Sequence, residues 1–325
     1  MRLNLLLVLL LLNYTLSYSQ SIVIDSLKHE LKKAEKAKKI PLLNQLARLS
    51  LSTSLDEAED YARQALSLSD SENKDKALAY HNLGLVYYFR GIPDSAIKFY
   101  NLSVIINQRL ENHSQLSKTF NNLGAIYNET GLNDSSIVYF DRSLKHSRLA
   151  ADSASVAMAM GNLSNVYQTK GEFAKSLALN ESALRIYQTI GDSARFAQIY
   201  VNIGLIFKNL GDYPNALKMY LAALKIHELE GNRREIGAVY YSIGNIYYDW
   251  NQFEQAKQYY IQSLNLFQET NHLLGMGYAH NQLGNILIEG DSDETLRHFQ
   301  SALKIFEDIS DPNGVANVYS DMAIF

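Results

Sequence analysis

The 325-residue sequence contains no cysteine. That excludes disulfides, cysteine-ligated zinc and thiol catalysis. It suits an oxidising compartment without requiring one. Positive charge is not in excess: 30 Lys and Arg stand against 34 Asp and Glu, for a net charge of -4. A dedicated nucleic-acid binder usually carries a basic surplus, so that class is set aside. No apolar run reaches the roughly 20 residues a membrane span needs. The longest, Leu3 to Leu12, is interrupted by Asn4. It follows Met1-Arg2 and precedes "NYTLSYSQS", with Ser17 and Ser19 at -3 and -1 for cleavage before Gln20. Residues 1–19 therefore read as a signal peptide. The mature chain is expected to be exported, periplasmic or extracellular, and not membrane-spanning.

What fills the rest is repetition. "AYHNLGLVYY" at 79–88 returns as "TFNNLGAIYN", "AMGNLSNVYQ", "IYVNIGLIFK", "VYYSIGNIYY" and "AHNQLGNILI", each about forty residues after the last. Self-similarity at such a period marks an array of stacked units. With Gly84 as anchor, Tyr80, Leu83, Gly84 and Tyr87 share one helical stripe. Gly91 then stops the helix, and Pro93 suits the first turn of the next. Ala96, Tyr100 and Ser103 form the packed stripe of that second helix. Small residues let the two helices approach, and the aromatic fills the space beside them.

The same grammar runs through Gly124 with Phe140, Gly204 with Tyr220, Gly244 with Tyr260 and Gly284 with Phe299. Ser164 stands at one anchor and Asn180 at its aromatic position. A degenerate early unit reads Leu46-Ala47, Ala58, Ala62 and Ala65. Residues 20–39 are assigned to an N-terminal capping helix, Lys-rich and amphipathic over 22–39. Residues 40–318 give seven hairpins, and 319–325 begin an incomplete eighth. An unfinished end would expose Val315, Val318, Tyr319 and Met322, a surface for self-association.

No nucleophile motif, phosphate loop or metal signature occurs, so neither an enzyme nor a cofactor or metal site is expected. His280 lies on a packed stripe. His81, His227, His272 and His298 lack a repeated acidic or histidine partner in the sequence. Trp250, at the end of a first helix, is expected to pack across the turn.

Leu-Gly, a Tyr three later, a turn Gly, then Ala, an aromatic and Ala resemble the tetratricopeptide repeat over residues 40–325. The period departs from that family's usual 34 residues. The forty-residue form is similar to the repeats of exported bacterial sensor proteins and spindle-orientation adaptors. The resemblance implies an all-α fold, a right-handed superhelical solenoid of antiparallel helical hairpins. It also implies a binding scaffold for proteins or extended peptides. Asn82, Asn122, Asn202 and Gln282 stand before Leu-Gly or Ile-Gly and Asn162 before Leu-Ser, with Ser242 in the remaining unit. Three residues on come Asn165, Asn245 and Asn285. Because first helices line the concave face, these side chains are expected to form a ladder of amides there. Amides both donate and accept, so they can bond a peptide backbone of any sequence. Such a ladder is similar to that of peptide-binding tetratricopeptide proteins, including the O-linked N-acetylglucosamine transferase. The alternative expectation is the sensory extracytoplasmic half of a larger signalling protein, a histidine kinase or transcription regulator.

Overall fold

The computed structural model describes residues 22–287 and 292–323. The expected signal peptide, residues 1–19, lies outside them. The described residues are helical throughout, apart from short turns. The helices are α1 (22–33), α2 (Lys36–Ser50), α3 (Leu55–Leu68), α4 (Lys74–Phe89), α5 (Pro93–Arg109), α6 (His113–Glu129), α7 (Asn133–Leu149) and α8 (Ser153–Thr169). There follow α9 (Phe173–Ile190), α10 (Ser193–Asn209), α11 (Tyr213–Glu230), α12 (Arg233–Asp249), α13 (Phe253–Glu269), α14 (Leu273–Leu287), α15 (Ser292–Asp308) and α16 (Pro312–Met322). The chain divides into two compact units, one ending at Val166 and the other beginning at Tyr167.

The forty-residue period has a simple origin. α6 and α7 have 17 residues each, and each is followed by a three-residue turn, at 130–132 and 150–152. The residues beyond a 34-residue repeat are therefore helix, not loop. "ELEGNRREIGAVY" confirms this: it is the end of α11, one turn and the first half of α12. The middle turn residue adopts positive φ, as at Gly131 (+75°) and Ala151 (+53°). In this left-handed conformation the N–H of the turn residue bonds back onto the ending helix, Gly131 N to Asn128 O at 3.0 Å. Helix starts are capped by side chains: Ser54 accepts from Glu57 N, Asn73 from Lys76 N and Asp212 from Asn215 N.

In the first unit α2–α3, α4–α5 and α6–α7 pair as hairpins, and α3 packs on α4 and α5 on α6. First helices also touch one another, α2 with α4 and α4 with α6. In the second unit α10–α11, α12–α13 and α14–α15 pair in the same way, and α12 touches α14 and α14 touches α16. The glycine anchors do what their position implies. A Cβ on Gly124 would come within 2.6 Å of the Phe140 ring, and one on Gly244 within 2.6 Å of Tyr260. Tyr100, Phe140, Tyr220 and Tyr260 are all buried. Burying each contributes roughly 1.5–3 kcal/mol.

Beside these, a second aromatic pair clamps three hairpins. Tyr87 stacks on Phe99 at 5.3 Å, Tyr127 on Tyr139 at 5.0 Å and Tyr247 on Tyr259 at 5.4 Å. The degenerate hairpin packs as its alanines foretell, with Leu46, Ala47, Ala58, Ala62 and Ala65 buried.

Three expectations need correction. The segment 22–39 is not one helix. It breaks at Ala34-Glu35, and Lys36 to Lys39 begin α2. Pro41 lies inside α2, past its first turn, where the missing N–H costs the helix one internal bond. The expected exposed C-terminal face is largely closed. Val318 is fully buried with Phe299, Ala302 and Phe306, and Val315 and Met322 pack against that cluster. Tyr319 alone of the four is open, at 56% exposure. Trp250 does not fold across its own turn. Its ring lies on Tyr213 of the preceding hairpin, 5.6 Å between centroids.

Candidate functional site

The amides before Leu-Gly sit on the first helices, which abut within each unit, so each can reach the helix before it. In the first unit Asn82 is 1% exposed. Its Nδ2 donates to the Asn44 carbonyl at 3.1 Å and to Asn44 Oδ1 at 3.2 Å. Asn162 Nδ2 donates to Asn121 Oδ1 at 2.7 Å. Asn44 and Asn121 occupy one equivalent position, three residues before their own anchors. The rule is thus "two before the anchor" bonding "three before the anchor" of the previous repeat.

The second unit keeps the rule with other chemistry. Gln282 faces the Tyr241 hydroxyl. Asn281 Nδ2 donates to Asp321 Oδ2 at 2.6 Å, Asp321 being the counterpart of Asn82. Where the earlier residue is not available, the side chain turns to the buried tyrosine instead. Asn122 Nδ2 donates to the Tyr100 hydroxyl at 3.2 Å, and Ser242 faces the Tyr220 hydroxyl. His81, at the earlier position for Asn122, bonds Thr119 Oγ1 through Nδ1 at 3.0 Å. The Thr119 hydroxyl donates to the Gln115 carbonyl, so the shared proton sits on His81 Nδ1. Burial, then the charges of Arg48 and Lys118, push the His81 pKa down to about 3.

Asn202 departs from the rule: its Oδ1 accepts from Gln198 Nε2 of its own helix at 3.2 Å. Among the residues directly after the anchor, Asn165 is exposed. Asn245 Oδ1 accepts from the Tyr260 hydroxyl at 2.7 Å. Asn285 Nδ2 donates to Asp321 Oδ2 at 2.9 Å and to Gln282 Oε1 at 3.5 Å. The predicted residues all lie on first helices, Asn82, Asn122, Asn162 and Asn165 in the first unit and Asn202, Asn245, Gln282 and Asn285 in the second. Most of them also spend one hydrogen bond tying neighbouring repeats together. Asn122, Asn162, Asn202, Asn245, Gln282 and Asn285 are half-buried, so part of each side chain still faces outward.

Charge on this surface is sparse. Lys208 pairs with Asp249 of the next first helix at 3.0 Å. The Tyr88 hydroxyl donates to Glu129 in the equivalent place. Burial and then that carboxylate push the Tyr88 pKa up to about 12.

Two histidine pairs escaped the sequence. His113 Nδ1 lies 3.1 Å from His146 Nδ1, and His280 Nδ1 lies 2.9 Å from His298 Nδ1. Each joins the two helices of one hairpin. His280 and His298 occupy the positions of Tyr240 and Tyr259, so an imidazole pair replaces an aromatic one. Burial, then the His298 charge, pushes the His280 pKa down to about 4. Among the described residues no group of three His, Cys, Asp or Glu side chains converges to hold a metal ion. None of their helices is long and apolar enough to cross a membrane.

Residues 115–189 and 195–269 match the sequence model of the tetratricopeptide repeat. No curated protein sequence matches the chain. Among solved structures, the apo form of RapI aligns with a TM-score of 0.68 at 14% identity, over 84% of this chain and 99% of that one. A Rap protein complexed with competence and sporulation factor aligns at 0.60 and 15% identity, over 94% and 96%. A signal-transduction ATPase with a tetratricopeptide repeat sensor, from Pyrococcus horikoshii, aligns at 0.68 and 16% identity, over 90% of this chain and 45% of that one. At these identities the likeness is one of fold.

Proposed function

We propose, from the premise that this chain is a tetratricopeptide-repeat protein, that it is a non-enzymatic scaffold holding a protein or extended peptide against its first helices. The observation that carries this reading is the first-helix surface itself. Its half-buried side chains are mostly amides and hydroxyls, with few charges, a composition suited to backbone groups of any sequence. The intramolecular bonds fix these amides in place, which lowers the entropy lost when a ligand is bound. The Rap proteins solved with competence and sporulation factor and with the Phr* peptide add support by likeness of fold. The sensor reading draws on the archaeal ATPase named above. Export rests on the sequence pattern of residues 1–19.

The test is selection of nine-residue peptides from a displayed library on the full chain, followed by calorimetry with Asn162→Ala, Asn202→Ala and Asn245→Ala. Loss of a buried amide contact should weaken binding by about 1–3 kcal/mol in at least one variant. Selected peptides that bind all three variants as tightly as the parent would overturn the reading.

A further inference from the structure

The α12–α13 hairpin carries a cavity of about 460 Å³, lined among others by Glu228, Arg233, Ile236, Tyr240, Gln262 and Leu266. Three repeats earlier the same place is full. In α6–α7 the Arg142 guanidinium lies over the rings of Phe120 and Tyr139, at 5.7 and 5.3 Å from their centroids. His146 stacks on Phe120 at 5.5 Å and pairs with His113.

Position by position, Phe120 corresponds to Tyr240, Tyr139 to Tyr259, Arg142 to Gln262, His146 to Leu266 and His113 to Arg233. The two aromatic rings are thus kept, and Tyr240 and Tyr259 lie 5.9 Å apart. The cation over them is gone. Gln262 is shorter than arginine and uncharged. Arg233 does not replace it, because its guanidinium pairs with Glu269. A carboxylate stands at the rim instead: the Glu228 charge, after burial, raises the Tyr240 pKa.

We infer that this cavity is a receptor for an arginine side chain of a partner protein or peptide, the guanidinium lying against Tyr240, whose ring neighbours Tyr259, as Arg142 lies against Phe120 beside Tyr139. This deepens the reading of the chain as a peptide scaffold and rests on it. Ile236 and Leu266 form an apolar wall for the arginine methylenes, and the planar cation spreads over ring faces rich in π density. Glu228 supplies the countercharge. A lysine fits less well, since its compact ammonium is more strongly hydrated and cannot stack.

The experiment titrates the full chain with three short neutral-flanked peptides that carry arginine, lysine or citrulline at the centre, followed by NMR of the tyrosine rings. The arginine peptide should shift the Tyr240 and Tyr259 signals saturably. Citrulline, isosteric and uncharged, should bind about five- to thirty-fold more weakly. Gln262→Arg should fill the cavity with the chain's own guanidinium and abolish the shifts while circular dichroism stays unchanged. Tyr240→Leu, should Gln262→Arg not fold, should weaken the arginine peptide by a similar factor. Equal binding of arginine and citrulline peptides, or full binding by a folded Gln262→Arg or Tyr240→Leu variant, overturns the inference. The amide variants Asn162→Ala and Asn202→Ala leave this cavity intact, so failure of the scaffold reading shows there and not here.

Discussion

Gly124→Ala is a small change with a calculable outcome. The new Cβ would stand 2.6 and 2.7 Å from two ring carbons of Phe140, where carbon atoms prefer about 3.5–4.0 Å. The ring, 2% exposed, must move by about 1 Å in a packed interior. Overpacking of this kind costs about 1–3 kcal/mol. Against it stands the helix preference of Ala over Gly, about 1 kcal/mol. The net expectation is a loss of about 1 kcal/mol, and at most about 2.

Gly204 supplies the control. Its Cβ would approach Tyr220 only to 3.1 Å, a gap closed by a few tenths of an ångström, so Gly204→Ala should be neutral or stabilising. Urea unfolding followed by circular dichroism, with hydrogen exchange to locate the change, reads both. Phe140→Leu should relieve Gly124→Ala, so the double variant should be about 1 kcal/mol more stable than the sum of the singles. If Gly124→Ala stabilises as much as Gly204→Ala, or if the pair is additive, close approach of helix and ring is not what selects glycine.

Acid should unfold the protein through its histidines. His81 and His280 have folded-state pKa values below the ordinary one, at about 3 and about 4, so the unfolded chain binds protons first. The stability they confer is complete above pH 6.5 and falls away as pH drops toward 4 and then 3. A His280→Phe, His298→Tyr variant, which restores an aromatic pair, should flatten the loss in that window, and an unchanged profile would contradict it. Asn82→Ala removes a fully buried amide from its bonds to Asn44 and should cost about 1–3 kcal/mol, seen as faster exchange in α2 and α4. Ala151 holds positive φ without being glycine. Ala151→Gly should therefore raise stability by up to about 1 kcal/mol in a thermal melt, and a lowered midpoint would count against the strain.

The hairpins were legible because their signals are local. Gly124 and Phe140 lie sixteen residues apart on two helices that meet in every repeat, so one pattern written many times disclosed both fold and packing. The histidine pairs were not legible. His113 and His146 are 33 residues apart, and nothing repeats them, so only the assembled hairpin brings them together. The amides fell between these cases. Their place on the first helices could be read from the spacing before Leu-Gly. Their bonds could not, because Asn162 meets Asn121 across 41 residues at a position whose side chain changes from repeat to repeat. The arginine-shaped cavity has no sequence signal except by comparing Gln262 with Arg142, and that comparison has meaning only once Arg142 is seen lying on Phe120.

The bonds that Asn82 and Asn162 make to the repeat before them have a consequence for how such a chain can change length. Asn162 seeks an amide at a fixed offset in the preceding repeat, and Asn82 finds one at the corresponding offset. Where one segment carries both partners, as Asn121 with Asn122 and Asn281 with Gln282, donor and acceptor travel together. A crossover between equivalent codons that places a repeat with an Asn121-type acceptor before one with an Asn162-type donor would carry a matched plug and socket into the new junction. Duplication or loss of a period would then leave most couplings standing, with tyrosines such as Tyr100 as fallback acceptors at mismatched joints. Copy number is, by this logic, the coordinate along which the sequence can vary at least cost to its own folding.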